Sequence, residues 1–479
     1  KASASGCVVQ SKLSTARSSP TRRGATGTYR HRLITTVQSD SAQARKSLTR
    51  SGCSSSVAAT ASSSHEGSGH VVAPAASHLP GVTWGPPQGR TGRPGGTVDF
   101  EWSNDQRNLY QACAAFARAQ LNDDVVGRDR RHDFSRHAWE MCAKFGIQGL
   151  PVPAEFGGGD ADPVTLAICL EALGYGCKDG GLLFSLGAHL WSAVTPLWRF
   201  GTVEQKQRWL PGLCDGSLIG VGAMTEPGTG SDAFAMTTSA RLDGDHYVLH
   251  GGKTFITNAP VADLFLVFAT TAATTTVVGG LGCFVVERGT PGLTIGKPFR
   301  KMGLHTSPMS EIFLDNCVVD ADQMLGSPGA GMAIFNTSMD WERSFILAPA
   351  VGTMQRHFEQ AVAYAKDRHQ FGQPIGSYQA ISHRIVNMRL RLDAARLLLY
   401  RAAEAKARGR STRIESSAAK LFISEALVAS SHDLLHIHGA YGYMEESGIE
   451  RELRDAIAST FYSGTSDIQR NIIASRLGL

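Results

Sequence analysis

The sequence lacks long hydrophobic runs, a regular cysteine pattern and, in its first part, acidic residues. No uninterrupted apolar stretch in the 479 residues reaches the roughly 18 residues that a membrane-spanning helix needs. The nine cysteines are scattered from Cys7 to Cys317 without a Cys-x-x-Cys pair, which excludes a disulfide framework and favours a reducing compartment. Residues 1–64 hold ten lysines and arginines but only one acid, Asp40, so acids outnumber bases in the rest of the chain. The folded part therefore has no electrostatic footprint for nucleic-acid binding.

The first part of the chain has the composition of an unfolded leader. Residues 1–98 are rich in Ser, Ala, Thr, Arg and Gly and show no sustained hydrophobic period. Such a segment cannot bury enough apolar surface to offset the entropy lost on ordering, so we predict that it is disordered. A basic, hydroxyl-rich and acid-poor leader is typical of a transit peptide, which predicts a soluble protein of the mitochondrial matrix or the plastid. A plain disordered tail is the alternative.

Beyond the leader, the hydrophobic pattern changes twice. Residues 99–221 show helical spacing, starting with a capping box at Ser103, and predict a helical domain. Residues 222–330 hold short β-branched and aromatic runs between turn signals and predict a β domain. Residues 331–479 return to long helical patterns and predict a four-helix bundle. The predicted fold class is therefore α+β. The strand-like runs are Tyr247–Leu249, Leu264–Phe268, Phe284–Val286 and Glu311–Leu314.

The sharpest local signal is the string Ala-Met-Thr-Glu-Pro-Gly-Thr-Gly-Ser-Asp at residues 223–232. Thr225 and Ser231 place hydroxyls on a loop that glycines and a proline hold close to a ligand. This string resembles the first signature of the acyl-CoA dehydrogenase family, and the resemblance extends over residues 103–479. It implies the family's fold, FAD as cofactor, an electron-transfer flavoprotein as electron acceptor and a homo-oligomer, most often a tetramer.

Further motifs extend the resemblance to the cofactor site. Arg368 and Gln379 resemble residues that reach the cofactor of a neighbouring subunit, and a forked guanidinium suits a pyrophosphate. His305 stands where the family motif has a mostly structural arginine. The pair His432 and His436 has a metal ligand's spacing, but no third ligand accompanies it, so no metal is predicted. The FAD-binding residues that the resemblance implies are Ala223, Met224, Thr225, Gly230, Ser231, Phe255, Ile256, Thr257, Arg368, Phe371, Gln379, His436, Gly439, Ala440, Thr465 and Asp467.

The commoner family position of the catalytic base holds no carboxylate in this chain, so either the base has moved or the activity is lost. Many members carry a glutamate directly before Gly-Thr-Ser in the last motif, where this chain has Ser463, a poor base at neutral pH. The string at residues 339–343 resembles that of isovaleryl-CoA dehydrogenase, which keeps its base on this helix. Glu342 is therefore the predicted base, and Asp340 is the competing carboxylate. The substrate-binding residues implied by the resemblance are Ser231, Met339, Asp340, Arg343, Ser463 and Gly464.

The predicted reaction is the α,β-desaturation of a short or branched acyl-CoA, with proton abstraction by Glu342 and hydride transfer to flavin N5. The same strings are also similar to prolyl- and other carrier-protein-linked dehydrogenases, so a carrier-bound acyl or aminoacyl thioester is the alternative substrate. A flavin oxidase or monooxygenase on the same fold is a further alternative. A catalytically silent scaffold is disfavoured because the flavin motifs are largely intact.

Overall fold

A computed structural model of the chain describes residues 102–271 and 280–479. Within these residues helices come first, a mixed sheet follows, and helices return, which confirms the predicted α+β class. The predicted disordered leader and transit peptide lie outside the described residues. No helix in the described part of the chain is both long enough and apolar enough to cross a membrane.

The first helical part starts at the predicted capping box. The Ser103 hydroxyl accepts a hydrogen bond from the Gln106 amide at 3.2 Å, and the Gln106 side chain accepts one from the Ser103 amide at 3.0 Å. These two bonds satisfy amides that the first turn leaves free. The helices are α1 (Asn104–Gln120), α2 (Val125–Arg131), α3 (Arg136–Lys144), α4 (Pro163–Gly176), α5 (Gly180–His189), α6 (Thr195–Phe200) and α7 (Val203–Cys214).

The middle part is one seven-stranded sheet in which β5 branches from β4. The strands are β1 (Gly220–Ala223), β2 (Ser239–Asp243), β3 (His246–Thr257), β4 (Leu264–Thr270), β5 (Leu281–Glu287), β6 (Leu293–Ile295) and β7 (Met309–Asp320). The order is β1-β4-β2-β3-β7-β6, and β1 runs parallel to β4 with Gly220 opposite Leu264. All four predicted strand segments lie in these strands. β1 starts at Gly220, at the very end of the segment 99–221 that the sequence predicts as the helical domain. Its Gly-Val-Gly-Ala sequence offers too short a pattern to predict a strand.

The last part holds the long helices of the predicted bundle. Helices α8 to α11 are its main members, and α13 and α14 pack on α11. A Cβ on Gly174 would come within 1.8 Å of the Pro349 carbonyl oxygen, so a side chain there would prevent α4 from packing on the bundle. The elements are α8 (Gly331–Phe345), α9 (Ala348–Asp367), β8 (His369–Gln370), β9 (Gln373–Pro374), α10 (Gln379–Ala407), α11 (Arg413–His438), α12 (Ala440–Tyr443), α13 (Ile449–Ala458) and α14 (Ser466–Arg476).

His305 helps to join the three parts. Its Nε2 lies 2.7 Å from the Lys301 carbonyl oxygen, and its Nδ1 lies 3.2 Å from the Asp129 carbonyl oxygen. The ring stacks on His132 at 4.0 Å, and Arg454 of α13 pairs with the Asp129 carboxylate at 2.8 Å. The imidazole thus occupies a structural position, as we expected of the residue that replaces the family arginine.

Candidate active site

One cleft of about 1100 Å³ lies between the sheet, α8 and the segment that joins α13 to α14. It brings together residues that lie far apart in the sequence. The predicted cofactor residues that line it are Met224, Thr225, Gly230, Ser231, Phe255, Ile256, Thr257 and Thr465. The predicted catalytic and substrate residues that line it are Ser231, Met339, Asp340, Glu342, Arg343, Ser463 and Gly464.

The loop at one wall of the cleft is held by a buried ion pair. Lys253 Nζ lies 2.8 Å from Glu226 Oε1, and both side chains are almost completely buried. The backbone amides of Thr237 and Thr238 donate to the same carboxylate at 2.6 Å and 2.9 Å. Burial alone would raise the pKa of Glu226, but these donors outweigh it and lower the pKa to about 2. Sequence reasoning missed both charges, although Glu226 lies inside the string at residues 223–232.

Phe255 turns its ring out of the sheet toward the cleft. It has φ 57°, in the left-handed region, and lies where the pairing of β3 with β7 shifts register between Lys253 and Ile256. The ring is 61% exposed and rests beside Phe299 at 5.6 Å. A bulge re-aims a side chain in this way, and the result is an open aromatic face for a planar ligand. A core aromatic, the plainer interpretation of Phe255, is excluded by this exposure.

Glu342 projects from α8 into the cleft. Phe184, Ile346, Ile457 and Tyr462 are among the apolar side chains that line the same cleft, and the rings of Phe184 and Tyr462 lie 4.5 Å apart. Burial raises the pKa of the Glu342 carboxyl, and a hydrogen bond from the Ser463 side chain and the charges of neighbouring cations oppose this rise.

The two oxygens of the Glu342 carboxyl differ in their contacts. Ser463 Oγ donates a short hydrogen bond to Oε1. Among the residues that the structure describes, none donates a hydrogen bond to Oε2. Arg343 does not pair with its neighbour, and its Nε donates instead to the Ser463 carbonyl oxygen at 3.1 Å. One carboxylate oxygen is therefore fixed, and the other is free to accept a proton.

Asp340, the competing carboxylate, has no free oxygen of this kind. Its Oδ2 lies 2.6 Å from Lys406 Nζ and 2.7 Å from Thr412 Oγ1. Its Oδ1 accepts from Thr412 Oγ1 at 2.9 Å and from Ser416 Oγ at 3.2 Å. These contacts join α8 to α10 and α11, so the Asp340 carboxylate has a structural place although the residue lines the cleft.

The turn that carries Ser463 is held by side chains that sequence reasoning missed. Lys420 Nζ, completely buried on α11, donates to the Gly464 carbonyl oxygen at 2.7 Å. Gln469 Nε2 donates to the carbonyl oxygens of Ser463 and Gly464 at 3.0 Å each. Burial lowers the pKa of Lys420 to about 8. The available signal was a lysine inside the otherwise apolar Ala419–Phe422 run.

Thr465 caps the last helix. It occupies the N-cap position, where its Oγ1 accepts a hydrogen bond from the Ile468 amide at 3.2 Å. Thr465 has the extended backbone of a cap, whereas residue 466 already has helical geometry.

The other predicted cofactor residues lie away from this cleft. Ala223 is buried at the end of β1, and Asp467 is exposed at the start of α14. Arg368 lies with its guanidinium 5.9 Å from the Tyr441 ring, and Phe371 is 94% exposed. Six predicted FAD-binding residues from the last part of the chain are absent from the lining of the cleft in the described residues: Arg368, Phe371, Gln379, His436, Gly439 and Ala440. A role for them in FAD binding needs a partner subunit and stays a prediction.

The His432–His436 pair gives no support to a metal site. The two Nε2 atoms lie 3.1 Å apart, which is a contact between the rings themselves. Within residues 102–271 and 280–479, no group of three or more histidine, cysteine or acidic side chains is arranged to hold a metal ion.

Comparison with known proteins identifies the family. Residues 103–217, 222–317 and 329–478 match the N-terminal, middle and C-terminal domains of acyl-CoA dehydrogenase. An L-prolyl-(peptidyl-carrier protein) dehydrogenase of Serratia sp. is 41% identical over 382 residues, which are 80% of this chain and 99% of the relative.

Two solved structures are similar over the same part of the chain. The prolyl acyl carrier protein oxidase AnaB is 47% identical with a TM-score of 0.77, over 79% of this chain and 100% of that one. PigA with FAD and proline is 40% identical with a TM-score of 0.78, over 80% of this chain and 100% of that one. The protein belongs to the acyl-CoA dehydrogenase family.

Proposed function

We propose that this protein is an FAD-dependent enzyme that oxidises an aminoacyl or acyl group held as a thioester on a carrier protein, with a prolyl group as the first candidate. The observation that carries the proposal is the Glu342 carboxyl, which lines the cleft and keeps Oε2 free. The same cleft is lined by the predicted flavin-contacting residues of β3. The proposed base and the residues proposed to contact the flavin thus line the same cleft.

The residues at the cleft fit FAD. The exposed Phe255 ring offers a stacking face, and Thr225, Ser231 and Thr257 place hydroxyls in the same cleft. A Cβ added to Gly230 would meet no atom within 4 Å, so the loop leaves open space for a ligand. When bound, FAD supplies the acceptor for a hydride from the carbon next to the substrate's α-carbon.

Glu342 would remove the α-proton. A thioester acidifies the adjacent C–H bond, and a carboxylate next to it accepts the proton at Oε2. Burial raises the pKa of the Glu342 carboxyl, which makes it a stronger base than an exposed glutamate.

The comparisons favour a carrier-bound substrate over acyl-CoA. The Serratia relative and AnaB are both named for prolyl groups on carrier proteins, and the similar PigA structure is described as PigA with FAD and proline. The short or branched acyl-CoA that we first expected from the motifs becomes the second candidate, because the thioester and the base are common to both reactions.

Anaerobic flavin reduction would test the proposal. The holoenzyme is mixed with prolyl-carrier-protein thioester, butyryl-CoA or isovaleryl-CoA, and bleaching of the flavin absorbance is followed. We expect rapid bleaching with the prolyl carrier and slow or no bleaching with the CoA esters. Bleaching by a CoA ester alone would transfer the assignment to the second candidate, and no bleaching by any thioester would contradict the proposed chemistry.

The electron acceptor, the assembly and the location belong to the same proposal. We propose reoxidation by an electron-transfer flavoprotein, a homotetramer, and a soluble place in the mitochondrial matrix or the plastid. Mixing the reduced enzyme with oxygen would separate a dehydrogenase from an oxidase, because a dehydrogenase should reoxidise slowly. Rapid reoxidation by oxygen would favour the oxidase alternative.

A further inference from the structure

The turn formed by Ser463 and Gly464 is fixed from three different helices. Arg343 of α8 donates to the Ser463 carbonyl oxygen at 3.1 Å, and Lys420 of α11 donates to the Gly464 carbonyl oxygen at 2.7 Å. Gln469 of α14 donates to both carbonyl oxygens at 3.0 Å. Two cations and an amide thus hold a two-residue turn, which is more than a surface connection requires.

The backbone of this turn is strained at Ser463. Its φ is 58°, in the left-handed region that glycine adopts more readily than serine. A strained residue persists where the surrounding structure over-determines it, and such positions cluster at functional sites. The strain at Ser463 aims its hydroxyl at Glu342 Oε1, to which it donates a hydrogen bond.

We propose that Ser463 is a positioning residue for Glu342 and that Lys420 holds it in place through the Gly464 carbonyl. This inference rests on the proposed function, in which Glu342 is the base. By holding Oε1, the hydroxyl turns Oε2 toward the cleft, where the substrate's α-hydrogen would lie. The serine therefore replaces the glutamate of the commoner family position with a group that orients the base instead of acting as one.

The hydroxyl also favours the charged form of the base. Burial raises the pKa of Glu342, while the Ser463 hydrogen bond and the charges of Arg343 and Lys420 lower it. Tyr462 faces the same carboxyl, and burial raises the pKa of its phenol, so it stays neutral. Removal of the hydroxyl should therefore raise the pKa of Glu342 and leave less carboxylate at neutral pH.

The test is the pH profile of flavin reduction in two variants. Ser463→Ala removes the hydroxyl and keeps Cβ, while Ser463→Gly removes the hydroxyl and relieves the strained φ. For both we expect the midpoint of the profile to rise by about one pH unit, and the rate on the acid side of the midpoint to fall about tenfold. The rate should recover at high pH, because the base is then ionised. A midpoint that stays at the wild-type value in the folded Ser463→Gly variant would overturn the proposal.

Lys420→Met tests the hold on the turn. We expect the midpoint of the pH profile to rise, as it does in Ser463→Ala. We also expect the flavin-reduction rate of the double variant with Ser463→Ala to fall by less than the product of the two single fold-losses. Fully multiplicative losses would show that Lys420 does not act through Ser463.

Glu342→Gln on the same assay separates the two proposals. If it is slow while Ser463→Ala keeps the wild-type profile, only the positioning role fails. If it is as fast as wild type, the base assignment fails.

Discussion

The substitution Glu342→Gln tests the central chemical claim most directly. Glutamine has almost the same shape as glutamate, and its amide oxygen still accepts the hydrogen bond from Ser463 that the Oε1 atom accepts now. The Glu226–Lys253 pair, which holds the loop of residues 223–232, does not involve Glu342. We therefore expect FAD binding and the fold to persist while proton removal fails.

The expected magnitude follows from the role. A positioned general base contributes about 10²–10⁴-fold to a rate, which corresponds to about 3–5 kcal/mol of the barrier. The loss should lie near the upper end, because Asp340, the nearest carboxylate in sequence, has both oxygens occupied by Lys406, Thr412 and Ser416 and cannot take over.

The assay is stopped-flow flavin reduction under anaerobic conditions, with a thioester that reduces the wild-type enzyme. In wild type the rate should rise with pH through a midpoint above the pKa of an ordinary glutamate, since burial raises the pKa of Glu342 and only its carboxylate form accepts a proton. The glutamine variant should lack that rise. Glu359→Gln, an exposed glutamate on α9 outside the cleft, is the matched control and should reduce at the wild-type rate. Reduction of the Glu342→Gln variant at the wild-type rate would refute the assignment.

Three further outcomes are expected. Lys253→Met leaves the Glu226 carboxylate buried without its partner, so it should cost about 3–5 kcal/mol of stability and weaken FAD binding, measured by thermal unfolding with and without FAD. In wild type the pKa of Glu226 lies below its ordinary value of 4.5. The contribution of this carboxylate to stability is therefore complete above pH 4.5 and is lost as the pH falls through about 2. Arg368→Ala should lower FAD retention without altering the cleft of its own subunit, and unchanged FAD content in an intact tetramer would argue against a contact between subunits. Deletion of residues 1–98 should leave the flavin spectrum and turnover unchanged, and a large loss in either would show that the leader packs on the body.

The order of the parts and the short strings at the site follow from the amino-acid sequence alone. The Ser103 capping box, the long helical patterns and the four strand segments depend on neighbours a few residues apart, and the structure contains all of them. The string at residues 223–232 indicated the family. The change from glutamate to Ser463, together with the string at residues 339–343, indicated Glu342. Both could be read from the sequence because each string is local. β1 was missed because a four-residue Gly-Val-Gly-Ala segment carries no pattern until β4 lies beside it.

Which charged groups work together depends on the packing of segments that are distant in the sequence. The Glu226–Lys253 pair and the contact between Lys420 and Gly464 join residues that lie 27 and 44 positions apart. Nothing in a local string indicates that Asp340 is occupied while Glu342, two residues later, keeps one free oxygen. That difference arises because successive residues of a helix point in different directions, and the packing of α8 against α10, α11 and the Ser463 turn decides what each side chain meets.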